Sequence, residues 1–377
     1  MRILIYAPAA RMGGAYAHVL GLTPELAALA GDDAGLLIAQ PELIAALPAL
    51  PSNWTARAER AQTRGFLGRL VWEQRVLPRI ARRWAADVVL SFGSFVPLRS
   101  ACPSVLEAGN ALPFTDAYWQ MLRRETVRQQ IEEHARWALL RASLGAAARI
   151  LVPTRAMRQD LVRRLPNLAA RIDVALWGVA LNFQQRRWTD PGEDVVLGVS
   201  KHGINKEFDV LIAALPHLRR QFPRVRVVLT GTPDESRWSR RSVALAERLG
   251  VAGLVRFAGA VPNQEVPKLI QDSRVLVFPT WCESFGLPLA EALAMGAPAV
   301  AADIPACREV GANAARYYSP GDSESLAGAI AELLASRESA SALAESAYTR
   351  GKKFQWRDNA LGVRESLTRA VGSRATP

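Results

Sequence analysis

The stretch WGVALNFQQRRWTDPGED, residues 177–194, has no sustained apolar period and carries Pro191 and Gly192, and the same structural pattern is written out on either side of it. Before it, short apolar runs predict strands at Ile3–Tyr6, Gly35–Ile38, Val88–Ser91, Ser104–Glu107, Ile150–Val152 and Asp173–Leu176. After it the series restarts at Val195–Val199, Val225–Thr230, Val255–Ala258, Val275–Phe278 and Ala299–Ala301. Longer helical stretches separate the runs, which is how a parallel sheet covered by helices on both faces is encoded. The expected fold class is therefore α/β, with two doubly wound parallel-sheet domains. Residues 1–178 form the first, 179–194 a linker and 195–353 the second, while 354–377 form a C-terminal helix packing back on the first domain. In such sheets ligands bind beyond the carboxyl ends of the strands, so the two domains are expected to face a shared crevice.

The 377 residues are half apolar and 22% charged, an ordinary globular composition. Lys and Arg number 47 against 35 Asp and Glu, giving +12, and only five of the 47 are Lys. That excess points to an anionic partner or to Arg-rich composition as such. Cys102, Cys282 and Cys307 are too few and scattered for a disulfide framework, which suits a reducing compartment. The opening MRILIYAPAA has an apolar run of about six residues, short for a leader and right for a first buried strand. A cytoplasmic protein, or one peripheral on the inner face of the plasma membrane, is expected.

The chemistry concentrates in FPTWCESFGLPLAEALAMGAPAV, residues 278–300. A strand ends at Pro279, a loop carries Glu283, Ser284, Phe285 and Gly286, and a helix begins near Pro288. Amides around Phe285–Leu287 would be free at that helix start to hold a phosphate or a sugar oxygen. Glu283 in the loop and Glu291 on the first helical turn can both accept from ligand hydroxyls. A solvated loop acid and an acid complementing the helix dipole account equally well for the two. Upstream, VVLGVSKHGINKEF places Ser200, Lys201 and Lys206 in the loop after a strand. Two of the chain's five Lys in one loop can screen a diphosphate.

The E-x7-E arrangement with its flanking ESFGLPLAEALAMGAPAVA resembles the signature of retaining glycosyltransferases of family 4, whose fold is GT-B, two Rossmann-like domains facing a central cleft. The resemblance implies that Glu283 contacts hydroxyls of the donor hexose and Glu291 the nucleotide ribose. Ser284, Phe285, Gly286 and Leu287 then lie beside the sugar and diphosphate. Lys201 stands where that family's Arg-x4-Lys pattern has Arg, with the spacing to Lys206 kept, so Lys201 and Lys206 would stabilise the leaving diphosphate. The stretch 227–236 resembles a strand ending in a glycine loop at Gly231, and 255–280 resembles the segment that holds the base near Gly259–Val261. In the first half, Gly13 and Gly14 resemble a loop facing the donor phosphates, although an ordinary turn uses glycines equally. Asn110 stands nearest to a position where some members have a His touching the donor sugar. His18 reads as an ordinary helix residue.

Residues 54–84 carry eight Arg against two Glu, with Trp54, Phe66, Trp72 and Trp84 interleaved. An amphipathic helix of this kind can lie on anionic lipid or turn its apolar stripe inward with a solvated basic back. The expected function is transfer of a hexose, mannose or a deoxyhexose such as rhamnose, from a nucleotide diphosphate sugar to a hydroxyl of a cell-surface glycan or lipid-linked glycan. GDP is the first expectation for the nucleotide and UDP-sugar transfer the alternative. No cofactor is expected, and no metal, since two cations already face the diphosphate and no Asp-x-Asp occurs. A GT-B phosphorylase or epimerase would need the same phosphate site. A basic nucleic-acid binder would exploit the +12, but no recognised nucleic-acid module appears and no such partner is expected.

Overall fold

The structure, a computed structural model, describes residues 1–373 apart from 9, 11, 12, 30, 61–64 and 94. The chain divides into two units, Met1–Gly178 with Gln355–Pro377, and Val179–Phe354.

Unit 1 is built on seven strands: β1 (Arg2–Ala7), β2 (Ala34–Ala39), β3 (Trp54–Ala58), β4 (Val88–Phe92), β5 (Ser104–Glu107), β6 (Arg149–Val152) and β7 (Ile172–Val174). They lie in the order β3-β2-β1-β4-β5-β6-β7, all parallel. Unit 2 has six: β8 (Val195–Gly198), β9 (Arg226–Leu229), β10 (Val255–Phe257), β11 (Val275–Phe278), β12 (Ala299–Ala302) and β13 (Arg316–Tyr318). Their order is β10-β9-β8-β11-β12-β13, again all parallel. The direction of winding reverses between β1 and β4 and between β8 and β11, and those reversals open the crevices in which doubly wound sheets hold ligands.

The central strands are buried along almost their whole length, which their near-continuous apolar runs require. Two edge strands were not expected. β3, Trp-Thr-Ala-Arg-Ala, buries only Trp54, and β13 is three residues long. An edge strand has one neighbour and a small share of core, so neither needs an apolar run. The basic segment 54–84 thus begins as β3 and is helical over Gly65–Arg83. The last strand of unit 1 lies at Ile172–Val174 rather than Asp173–Leu176.

Residues 179–194, expected as a linker, are folded into unit 2. Trp188 is buried, its backbone N–H bonded to Met295 O and its Nε1–H to Ser273 O at 2.8 Å. Asp194 pairs with the buried Arg274 at 2.8 Å. Part of the polar composition of the stretch therefore reflects anchoring by hydrogen bonds. The final helix, Trp356–Gly372, packs in unit 1 beside the helix Gly13–Leu29. Trp356 fills the space left by two glycines: a Cβ on Gly21 would stand 2.2 Å from its ring and one on Gly178 2.4 Å from its backbone N.

Packing of the same kind joins two helices of unit 2. A Cβ on Gly351 would come within 2.4 Å of Ala294 Cα and Leu293 O, backbone atoms that cannot step aside. Gly351→Ala is expected to destabilise the protein by roughly 1–3 kcal/mol or more. Gly328→Ala, in an exposed helical position with nothing within 4 Å, is expected to stabilise it by about 0.5–1 kcal/mol. Chemical denaturation of the two variants checks this, and equal effects would contradict the packing described.

Candidate functional site

At the β8/β11 reversal of unit 2 the two crossing loops are tied together. After β8 the chain runs Val199–Glu207 into the helix Phe208–Gln221, and after β11 it runs Pro279–Gly286 into the helix Leu287–Met295. Lys206 and Thr280 form an isolated antiparallel bridge, and the Glu207 N–H donates to Pro279 O at 3.0 Å. Side chains complete the link. Lys206 Nζ donates to Glu283 Oε1 in an ion pair shielded from solvent and stands 4.4 Å above the Phe278 ring. Asn205 Nδ2 donates to the same Oε1 at 3.1 Å and to Cys282 O at 2.9 Å. The Thr280 hydroxyl has three acceptors in reach, Asn205 O, Cys282 O and Glu283 Oε1, for its single proton. Lys206 and Asn205 both donate to one carboxylate oxygen, with the Thr280 hydroxyl in reach of it, which holds Glu283 in a fixed orientation.

Lys206 and Glu283, expected to act on different parts of a ligand, are therefore direct partners. Asn205, Thr280 and Phe278 escaped the reading of the sequence, where only their adjacency to Lys206 and Glu283 could have flagged them. Lys201 is exposed on the same loop. Its neighbour Ser200 exchanges two bonds with the Thr230 hydroxyl, N–H to Oγ1 at 3.0 Å and Oγ1–H to O at 3.1 Å.

The helix after Glu283 begins at Leu287, capped by Gly286 in the left-handed region at φ 91°. A Cβ at Gly286 would lie 3.0 Å from the Phe278 ring, so the position is constrained twice. The N–H groups of Gly286 and Leu287 meet no acceptor among the described residues. Ser284 and Phe285 are buried, and Phe285 packs edge-on against Phe354. Glu291 lies in the second turn, not the first, so an acid merely complementing the helix start does not describe it. It is 6% exposed, no described residue offers its carboxylate a hydrogen bond, and burial pushes its pKa up to about 8.

Gly231, at φ 92°, is bonded to Gly259 in both directions, N–H to O at 2.7 and 3.1 Å. Those backbone groups are committed to each other, and Val261 follows them, half-buried. Among the described residues no group of three or more His, Cys, Asp or Glu is placed to hold a metal ion.

In unit 1, residues 9, 11 and 12 of the glycine loop lie outside the described residues. Gly13 is exposed at φ 67°, while a Cβ on Gly14 would meet the Trp177 ring at 3.2 Å. Packing against Trp177 thus explains Gly14 without a ligand. Asn110 is exposed and its Oδ1 accepts the Leu112 N–H at 3.1 Å, a local turn contact. Beneath this loop His18 is a core residue, stacked on Trp356 and bonded through Nε2 to Asn359 Oδ1 at 3.1 Å. Burial lowers its pKa to about 3. Glu107, the last residue of β5, accepts from Trp177 Nε1 at 3.1 Å and is pushed up to about 8 by burial.

In the segment 54–84, residues 61–64 and the side chains of 66 and 67 lie outside the described residues. Trp54 and Trp72 are buried and Trp84 is half-buried beneath the Arg2 guanidinium. The helix Gly65–Arg83 turns Trp72, Leu77 and Ala81 into the core and leaves Arg75, Arg79, Arg82 and Arg83 outside. An inward stripe with a solvated basic back is what the described residues form, with Trp54 and Trp72 taken up by packing.

Residues 12–183 match the family model for Glycosyltransferase Family 4, and residues 182–350 that for glycosyl transferases group 1. D-inositol 3-phosphate glycosyltransferase of Segniliparus rotundus is 32% identical over 188 residues, 48% of this chain and 41% of that protein. O-antigen chain mannosyltransferase B of Escherichia coli is 28% identical over 138 residues, 37% of this chain and 35% of that protein. The chain thus spans less than half the length of these curated relatives. HepE of Anabaena, solved in complex with UDP and glucose, superposes with a TM-score of 0.72 at 18% identity over 98% of this chain and 99% of that one. The fold class expected from the sequence, GT-B, and the resemblance to family 4 are borne out.

Glu291 gives a pH signature. Its folded pKa near 8 exceeds the ordinary value of 4.5, so between these pH values the folded protein holds a proton that the unfolded chain has released. Its contribution to stability is present below pH 4.5 and falls as pH rises towards 8, by about 1 kcal/mol per pH unit. Glu107 acts with the same sign, and His18 opposes both only below pH 6.5. Between pH 6.5 and 8 the unfolding midpoint of Glu291→Gln is expected to fall less steeply than that of the parent. Parallel curves would place Glu291 in solvent.

Proposed function

Taking as premise a chain that resembles family 4 glycosyltransferases along both halves, we propose that this protein is a retaining hexosyltransferase using a nucleotide diphosphate sugar. The observation that carries the reading is the pairing of Lys206 with Glu283 at the carboxyl ends of β8 and β11, where parallel sheets hold ligands.

Each group has a separate task. Lys206 already has one negative partner, and the incoming diphosphate supplies a second; a single ammonium has three protons and serves both. As the bond between the anomeric carbon and the phosphate oxygen breaks, charge grows on that oxygen. Lys206, Lys201 and the N–H groups of Gly286 and Leu287 then hold it more strongly than they held the ground state. Glu283, with Oε1 engaged by Lys206 and Asn205, keeps Oε2 for a hexose hydroxyl and orients the ring. The departing phosphate takes the acceptor proton on the face it leaves, so no protein base is needed there. Glu291, buried without a partner among the described residues, accepts from a ribose hydroxyl. A ribose there gives this carboxylate the hydrogen bond its burial otherwise denies it.

Mannose or a deoxyhexose from a GDP-linked donor is the favoured substrate, with a cell-surface glycan such as lipopolysaccharide or exopolysaccharide as acceptor. The mannosyltransferase among the relatives supports this. A UDP-linked donor is the second reading, favoured by the similarity to HepE, whose complex holds UDP and glucose.

A thermal-shift panel of GDP, UDP, ADP and dTDP with their hexoses tests the donor site. GDP and GDP-mannose are expected to raise the melting temperature most, and Glu291→Ala to lose the shift. Lys206→Ala is expected to lower kcat about 100-fold or more, measured as release of free nucleotide diphosphate. A panel in which no nucleotide stabilises the parent, or in which both variants respond like the parent, sinks the assignment.

A further inference from the structure

The helix Val127–Ala146 is covered on one side only. Its buried residues, Leu140, Ser143 and Leu144, all belong to its last two turns. The earlier turns are held by the preceding helix, Asp116–Leu122, through Tyr118 bonded to Glu133 at 2.8 Å and Trp119 packed against His134 and Trp137. Away from those contacts the residues at successive helical repeats are Val127, Ile131, Ala135, Ala138 and Ala142. All five are apolar and all five are exposed, Val127 at 72% and Ile131 at 64%. The stripe runs about 22 Å along the helix.

Its borders are basic. Arg128 and Arg141 are exposed on either side of the stripe, and Arg123 and Arg124 are exposed in the turn before the helix. Neither Arg123 nor Arg124 has an ion-pair partner among the described residues. Arg128 pairs with Glu132 in the open, where such a pair contributes little.

We propose that this face lies on an anionic lipid surface, with Val127 and Ile131 dipping below the headgroups and Arg123, Arg124 and Arg128 meeting phosphates. Two observations select lipid over a second copy of the chain. Arg borders the stripe on both sides, so an isologous pairing would set Arg against Arg, while an anionic bilayer matches Arg123, Arg124, Arg128 and Arg141. The large aliphatic side chains gather at the Arg-rich end and only alanines follow, which fits shallow insertion at one end. The basic helix Gly65–Arg83 is a poorer candidate. It has turned Trp72, Leu77 and Ala81 inward, and Val71, at 53%, is the large apolar side chain exposed on it among the described residues.

Flotation of the full chain with vesicles of phosphatidylcholine, alone or with about 30% phosphatidylglycerol, tests the proposal. Binding is expected to the anionic vesicles only. Val127→Asp with Ile131→Asp, and separately Arg123→Glu with Arg124→Glu, are each expected to weaken it about tenfold or more. Arg75→Glu with Arg79→Glu, on the other basic helix, is expected to change it less than about threefold. All these side chains are exposed, and unchanged melting temperatures would confirm that the variants fold. The proposal fails if the parent ignores anionic vesicles, or if the Arg75/Arg79 variant alone loses binding. It fails equally if the parent is a dimer that the Val127/Ile131 variant splits, which would make a second copy the occupant.

Discussion

Lys206 and Glu283 are 77 residues apart in sequence, and their ion pair closes the gap that parallel strand order leaves between the loops after β8 and β11. The two loops are joined by backbone bonds, the Lys206–Thr280 bridge and the Glu207 N–H to Pro279 O, and the ion pair reinforces that link with Asn205, Thr280 and the face of Phe278 as further supports. Removing one member of a shielded pair leaves the other charge uncompensated, typically at a cost of 3–5 kcal/mol, so the two loops hold or lose their arrangement together. Everything proposed for the donor site depends on that arrangement.

Around it the fold places groups whose own surroundings do not satisfy them. The carboxyl of Glu291 is buried without a hydrogen-bond partner, and the N–H groups of Gly286 and Leu287 have no acceptor among the described residues. Buried polar groups are as a rule hydrogen-bonded, and their exceptions concentrate where a ligand supplies the missing partner. Unit 1 also holds buried polar atoms without a hydrogen-bond partner among the described residues, His18 Nδ1, Thr23 Oγ1, Trp54 Nε1, Glu73 Oε2 and Trp356 Nε1, beside others that are paired. Glu107 has Trp177 and His18 has Asn359, and the aromatic rings of Trp177 and Trp356 fill the space that Gly14, Gly21 and Gly178 leave open. Those glycines serve packing, and the final helix is locked to the unit by the same two rings.

The charge of +12 divides along similar lines. Lys206 is drawn into the donor loop, Arg274 is buried against Asp190 and Asp194, and the Arg of the helix Gly65–Arg83 form a solvated back. Near Val127 and Ile131 exposed Arg borders an exposed apolar stripe.

By itself the sequence determined the parts whose physics is local. Central parallel strands are buried on both faces and so appear as apolar runs, which located eleven strands and the restart between the two units. The E-x7-E stretch and the two Lys of one loop located the site in the same way, because each lies within one strand-to-helix connection. Tertiary structure decided the rest. β3 and β13 exist because a neighbouring strand offers them an edge, and nothing in three or five half-exposed residues announces that. Residues 179–194 look like a linker until Trp188 is seen to reach Met295 and Ser273. That Lys206 meets Glu283, that Glu291 is buried in a second turn, and that the apolar stripe of one basic helix faces inward while that of Val127–Ala146 faces out are all non-local facts. They depend on which surfaces the chain brings together, and an amphipathic pattern is the same whichever side its partner lies on.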